Sequence, residues 1–106
     1  MIEPSKKDWK LYRDKIVGWQ ESYMEKLAKE YIELLSGDLP ASTKFWELEE
    51  RIKIDKKKPG VCIEMNKSNM IFDIVSLIRD GVIVVNDLDD FSEKLRETVK
   101  LFGKIR

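Results

Sequence analysis

The chain contains no histidine and one cysteine, Cys62. Without His there can be no Ser-His-Asp or Cys-His triad, and the commonest general base and zinc ligand are both missing. One Cys and no His leave no transition-metal site of the usual kind, so no metal is expected. A lone Cys forms no internal disulfide, and nothing points to an oxidising compartment. The five glycines build neither a phosphate-binding loop nor a dinucleotide fingerprint, so no cofactor is expected. No pair of acids stands out from the general charge as the basis of a carboxylate hydrolase. The chain is therefore read as not an enzyme.

An excess of charge of one sign is also missing. Twenty basic residues balance twenty acidic ones, so the basic surplus expected of a general nucleic-acid binder is absent. Long apolar runs are lacking too. The longest is Val82–Val85, whereas a membrane span needs about 20 residues. The opening "MIEPSKKDWK" has no apolar stretch of signal-peptide length. Together these lead to the expectation of a soluble, cytoplasmic protein.

What is present is enough for one helical domain over 1–106. The apolar share of 42% is too high for a disordered chain, and ten aromatics, three of them Trp, supply bulky core material. Punctuation at Gly37–Pro40, Pro59–Gly60, Gly81 and Gly103 divides the chain into helical pieces. Trp9, Tyr12, Ile16, Trp19, Tyr23, Leu27, Tyr31 and Leu34 recur at steps of three and four, which predicts a long first helix from Ser5 to Ser36. Ser5 and Asp8 resemble a capping box, and Gly37 is expected in the left-handed position after the last turn. Gly18 lies inside this helix and suggests a slight bend or a close helix approach.

Pro40 opens a second helix over about 41–57, with Phe45, Leu48 and Ile52 on one face and Trp46 beside it. "GVCIEM" alternates as a short extended segment. Asn66 or Ser68 caps a third helix ending at Asp80, with Met70, Ile71, Ile74, Val75, Leu77 and Ile78 apolar around more than half its circumference. A fourth helix, about 87–104, carries the stripe Leu88, Phe91, Leu95, Val99 and Phe102. Val82–Val85 could pair with Val61–Ile63 as a minimal two-stranded ribbon over 61–63 and 82–85. The predicted fold is all-α, a compact bundle of four helices with a long N-terminal one.

Four features could carry function. The acidic stretch "IRDGVIVVNDLDDF" holds Asp80, Asn86, Asp87, Asp89 and Asp90. A calcium loop needs oxygen ligands at alternate positions. Starting at Asp80 puts Val82 and Val84 at ligand positions, and starting at Asp87 puts Phe91 there. The stretch is therefore read as architecture, with Asn86 capping helix four and the acids in its first turn. The second feature is "RIKIDKKKPG", where Arg51, Lys53, Lys56, Lys57 and Lys58 could meet phosphates or an acidic partner, or simply stabilise a helix C-terminus. The third is the aromatic stripe of Trp9, Tyr12, Trp19, Tyr23 and Tyr31, either core or the lining of a ligand groove or self-association surface, with Trp9, Tyr12, Trp19 and Tyr23 as the candidate self-association residues. Helix one would be about 48 Å long at 1.5 Å per residue, about twice the others, so an uncovered apolar end would want a partner. The fourth is Cys62, read as an inert, partly buried thiol between Val61 and Ile63.

The stretches "GDLPASTKFWELEERIKIDKKKPGV" and "DIVSLIRDGVIVVNDLDDFSEKLRETVKLF", with "EPSKKDWKLYRDKI" near the start, resemble a family of short uncharacterised bacterial proteins, mainly from Gram-positive anaerobes. Its members often carry the label "multidrug transporter", which conflicts with the absence of any bilayer-length segment. The resemblance implies a compact, stand-alone bacterial domain and transfers no activity, ligand or catalytic residue. The expected function is a protein-binding or self-associating module, a homo-oligomer or the binder of another protein. The alternative is an anionic partner held by residues 51–58. DNA reading by helices three and four is disfavoured, because Asp87, Asp89, Asp90 and Glu93 would open the second of them and repel phosphates.

Overall fold

The computed structural model describes residues 3–104. It contains four α-helices: α1 over Lys6–Ser36, α2 over Ala41–Asp55, α3 over Met70–Arg79 and α4 over Glu93–Lys104. Single 3-10 turns at Lys67–Asn69 and Val85–Leu88 precede α3 and α4. The all-α reading holds, and the first helix is the longest.

The start of α1 follows from its sequence. Ser5 is extended, and its hydroxyl accepts the Asp8 N–H at 3.1 Å, which satisfies one of the orphan donors of the first turn. The box is only half made, because the Asp8 carboxylate turns away to Ser92. Gly37 departs from expectation. It ends the helix in an extended conformation (φ −74°, ψ −175°), its N–H donating to the Leu34 carbonyl, so no left-handed residue is needed there. Gly81 does adopt the left-handed conformation, at φ 75°. The Gly81 N–H reaches the Ile78 carbonyl and the Val82 N–H the Leu77 carbonyl, a Schellman closure of α3.

The packing divides α1 into two unequal environments. Its first half supplies Tyr12 and Ile16 to the main core, which α3, the 81–91 connection and α4 complete with Met70, Ile74, Leu77, Ile83, Leu88, Phe91, Leu95 and Val99. Its second half buries only Tyr23 and Leu27, which lie outside that core. There α1 is accompanied by α2 alone. The result is a globular end and a two-helix arm, with extents of 52 × 26 × 22 Å. The radius of gyration of 16.5 Å exceeds the roughly 13 Å of a compact domain this size.

Several expectations are corrected. The ribbon of 61–63 with 82–85 does not form, and there is no strand among the described residues. The backbone donors are satisfied locally instead: Val61 and Cys62 on Lys58, Val82 and Ile83 on Leu77, and Val84 on the Asp87 carboxylate. α4 starts six residues later than predicted. Its cap is Ser92, whose hydroxyl accepts the Leu95 N–H at 3.2 Å, and Asn86 sits in the preceding 3-10 turn. α2 ends at Asp55, short of Lys57. Asn66 caps the 3-10 turn that leads into α3, accepting the Ser68 N–H. The space beside Gly18 is open, so no helix approaches there.

Candidate functional site

The arm is held together by a charged cluster that grows from one buried carboxylate. Asp55, the last residue of α2, is 3% exposed. The Tyr31 hydroxyl on α1 donates to its Oδ2 at 2.6 Å, and Arg51, one turn back, lies at 3.4 Å. Lys58 closes on Oδ1 at 3.2 Å. Arg51 also reaches Glu30 of α1 at 2.7 Å, with its guanidinium 5.3 Å above the Tyr31 ring. A buried charge needs partners on this scale to be tolerated. Burial by itself would raise the Asp55 pKa, but the hydrogen bonds from Tyr31 and Lys58 and the charges of Lys58 and Arg51 outweigh it, and the net shift is downward. Burial, the hydrogen bond to Asp55 and that carboxylate's charge push the Tyr31 phenol up to about 12.

A backbone contact completes the join. The turn after α2 lays Gly60 against the face of Tyr23, where an added Cβ would sit 2.3 Å from a ring carbon. The Gln20 amide donates to the Pro59 carbonyl at 2.9 Å. One side of α2 is thereby committed to α1.

The other side of α2 faces solvent and sets exposed aromatic residues among its charges. Phe45 is 63% exposed and Trp46 61%, their rings edge to face at 4.9 Å. With Leu48 and Ile52, Phe45 lines a shallow groove of about 360 Å³ bordered by Glu49, Lys53 and Lys56. Among the described residues, eight of the fourteen large apolar side chains left exposed fall on the arm, between Met24 and Ile54. A second apolar groove, about 420 Å³, runs between α3 and α4 over Val75, Ile78, Val85 and Val99, with Arg79 and Lys100 at its edge.

The residues singled out in the sequence are distributed as follows. Tyr12 and Tyr23 are buried, and Trp9 and Trp19 pack against the main core, Trp19 at 6.3 Å from Phe91. Within the helix-one aromatic stripe, Tyr12 and Tyr23 are covered by the protein's own chain, and Trp9 and Trp19 partly so. The basic segment splits: Arg51 and Lys58 are occupied by Glu30 and Asp55, while Lys53, Lys56 and Lys57 remain exposed without an ion pair among the described residues. Cys62 is exposed rather than partly buried, because the extended 62–66 segment lies on the surface. In the acidic stretch, Asp87 accepts the Val84 N–H at 2.8 Å and Asp90 pairs with Lys15 at 3.3 Å. Among the described residues no group of three or more Cys, Asp or Glu gathers at metal-binding distance.

Sequence reading placed Phe45 on the apolar face of the second helix with Trp46 beside it, without marking the pair as exposed together. Their adjacency was the available signal, since neighbours in a helix are about 100° apart and cannot both face one partner helix. No described helix is long and apolar enough to cross a membrane. Comparison with protein-family models, with curated proteins and with solved structures yields no match.

Proposed function

We propose that this protein is a non-catalytic protein-binding module whose contact surface is the outer face of α2. The observation that carries the reading is the exposed Phe45–Trp46 pair beside Ile52, on a helix already anchored to α1 through Asp55 and, in the turn that follows it, Gly60. An isolated exposed apolar residue is ordinary. A contiguous aromatic patch on a fixed helix is what interfaces use as an anchor. Three neighbouring lysines do not make this a nucleic-acid surface, because Glu47, Glu49 and Glu50 occupy the same exposed helix. An exposed free thiol at Cys62 fits a reducing, cytoplasmic setting.

The test is photo-crosslinking in growing cells, with a benzophenone side chain at position 46 and, as the control, at exposed position 94 on α4. Discrete protein adducts at 46 and none at 94 are expected. No adducts at 46, or the same adducts at both positions, would overturn the reading.

A further inference from the structure

We propose that the groove between α3 and α4 binds a single-chain aliphatic carboxylate, a fatty-acid anion whose chain lies along the groove and whose head group meets Arg79 and Lys100. The site is at the globular end and is separate from the α2 contact surface. Its volume, about 420 Å³, falls within the roughly 300–1,000 Å³ of small-molecule sites. Val75, Ile78, Val85, Val99 and Gly103 line it together with the two cations. Val75 and Val99 are buried and form the floor, while Val85 is left exposed. Gly103 keeps the space beside it open, with no atom within 4 Å of an added Cβ.

The lining selects the ligand by what it contains and by what it lacks. Arg79 and Lys100 are its only charged residues, and neither takes part in an ion pair among the described residues. Three other depressions on the surface each carry a carboxylate: Glu3 and Asp8 in one, Glu93 and Glu97 in another, Glu49 in the third. This groove therefore complements an anion. Both cations lie within about a turn of a helix C-terminus, and two full charges outweigh the half-charges of the two helix dipoles there. No hydroxyl or amide side chain lines the groove, so the hydroxyls of a sugar or nucleotide would find no side-chain partner. No aromatic ring lines it either, so a flat ligand has nothing to stack on. Aliphatic walls suit an alkyl chain, whose burial removes apolar surface from water on both sides. At the edge, the Arg79 guanidinium offers a planar fork that can take a carboxylate on two hydrogen bonds, and Lys100 adds a point charge.

Titration of the purified full chain with sodium decanoate, followed by amide proton–nitrogen chemical shifts, tests the proposal. Saturable shifts are expected at Ile78, Val85, Val99 and Gly103, with a Kd of about 100 µM or tighter. Octanoate, two methylenes shorter, should bind about tenfold more weakly. Decanol, with the same chain and no charge, should bind at least about tenfold more weakly than decanoate. Gly103→Leu puts a side chain into the groove and should weaken decanoate at least about tenfold. R79Q combined with K100Q should bring decanoate down to the affinity of decanol and leave decanol unchanged. All three positions are exposed, and circular dichroism checks that helicity is retained. A titration that does not saturate up to about 1 mM overturns the proposal. So does decanol binding as tightly as decanoate, or Gly103→Leu binding like wild type. Shifts confined to Phe45 and Trp46 would place the chain on the arm, which overturns this site and leaves the contact-surface reading of α2 standing.

Discussion

The Asp8 carboxylate accepts two hydrogen bonds from Ser92, one from the backbone N–H at 3.0 Å and one from the hydroxyl at 2.5 Å, across 84 residues of chain. Asp8 is 4% exposed and sits in the first turn of α1, while Ser92 caps α4. One interaction therefore joins the starts of the first and last helices. Hydrogen bonds to a charged group contribute roughly 1.5–3 kcal/mol each, so Asp8→Ala should lose about 2–3 kcal/mol in urea unfolding. The bond predicts coupling: in a double-mutant cycle, Asp8→Ala and Ser92→Ala together should destabilise by about 1–2 kcal/mol less than the sum of the two. Strict additivity would show that the contact contributes nothing.

Gly60 and Tyr23 form the second tight join. A methyl group at position 60 would collide with the Tyr23 ring. Overpacking of this kind typically costs about 1–3 kcal/mol. Gly60→Ala should lower the unfolding midpoint by that amount, and the penalty should shrink in a Tyr23→Ala background, where the obstructing ring is gone. An equal penalty in both backgrounds would point to the backbone of the turn instead.

Gly18 makes the opposite prediction. It lies mid-helix and exposed, with no atom within 4 Å of an added Cβ. Gly18→Ala should stabilise by about 1 kcal/mol through helix propensity alone. A destabilised variant would mean that the position serves an intermolecular contact or a bend.

The pH dependence of the arm follows from Asp55 and Tyr31. The Asp55 pKa is lowered in the folded protein, so its contribution is present above the unfolded carboxylate pKa, near 3.9, and is lost as pH falls through the lower folded value. Tyr31 is raised from 10.0 to about 12, so its contribution is complete below pH 10.0 and is lost as pH rises through about 12. Melting temperature against pH should therefore fall at both extremes. Asp55→Asn should flatten the acid limb, and Tyr31→Phe the alkaline one. Unchanged limbs would mean that other groups govern both.

Asp73 works in the reverse sense. Burial raises its pKa, and its Oδ2 makes no hydrogen bond to another protein group. A raised carboxylate favours the fold below its unfolded pKa and opposes it as pH rises. Asp73→Asn should therefore melt at a higher temperature than wild type at pH 7, with the difference vanishing in acid. A lower melting temperature at neutral pH would indicate that the charge is matched in solution.

The helices were legible in the sequence because their signals are local. Ser5, Pro40 and Gly81 act within a turn of themselves, and the spacing of Tyr12, Ile16, Tyr23 and Leu27 reflects one helix face. Where two local signals competed, the reading failed. Asn86 and Ser92 both can cap a helix, and the choice fell to Ser92 because its N–H and hydroxyl are held by Asp8 from the far end of the chain. Likewise, nothing around "GVCIEM" revealed that its neighbouring donors would be satisfied by Lys58 rather than by a second strand.

The candidate surface was only half visible. Helix length alone implied that α1 would outrun its neighbours. Which apolar residues stay in water depends on where the shorter helices land. Two of them, α3 and α4, close around Tyr12 and Ile16 with the 81–91 connection, while α2 takes the other half of α1. A side chain's burial is a property of its neighbours, and those neighbours are distant in the chain. The sequence by itself therefore determined the all-α class, the long first helix and the balance of charge. The tertiary structure decided that Trp9 and Trp19 pack half-buried against the core while Phe45 and Trp46 face water, because only long-range packing assigns each apolar face a partner or leaves it without one.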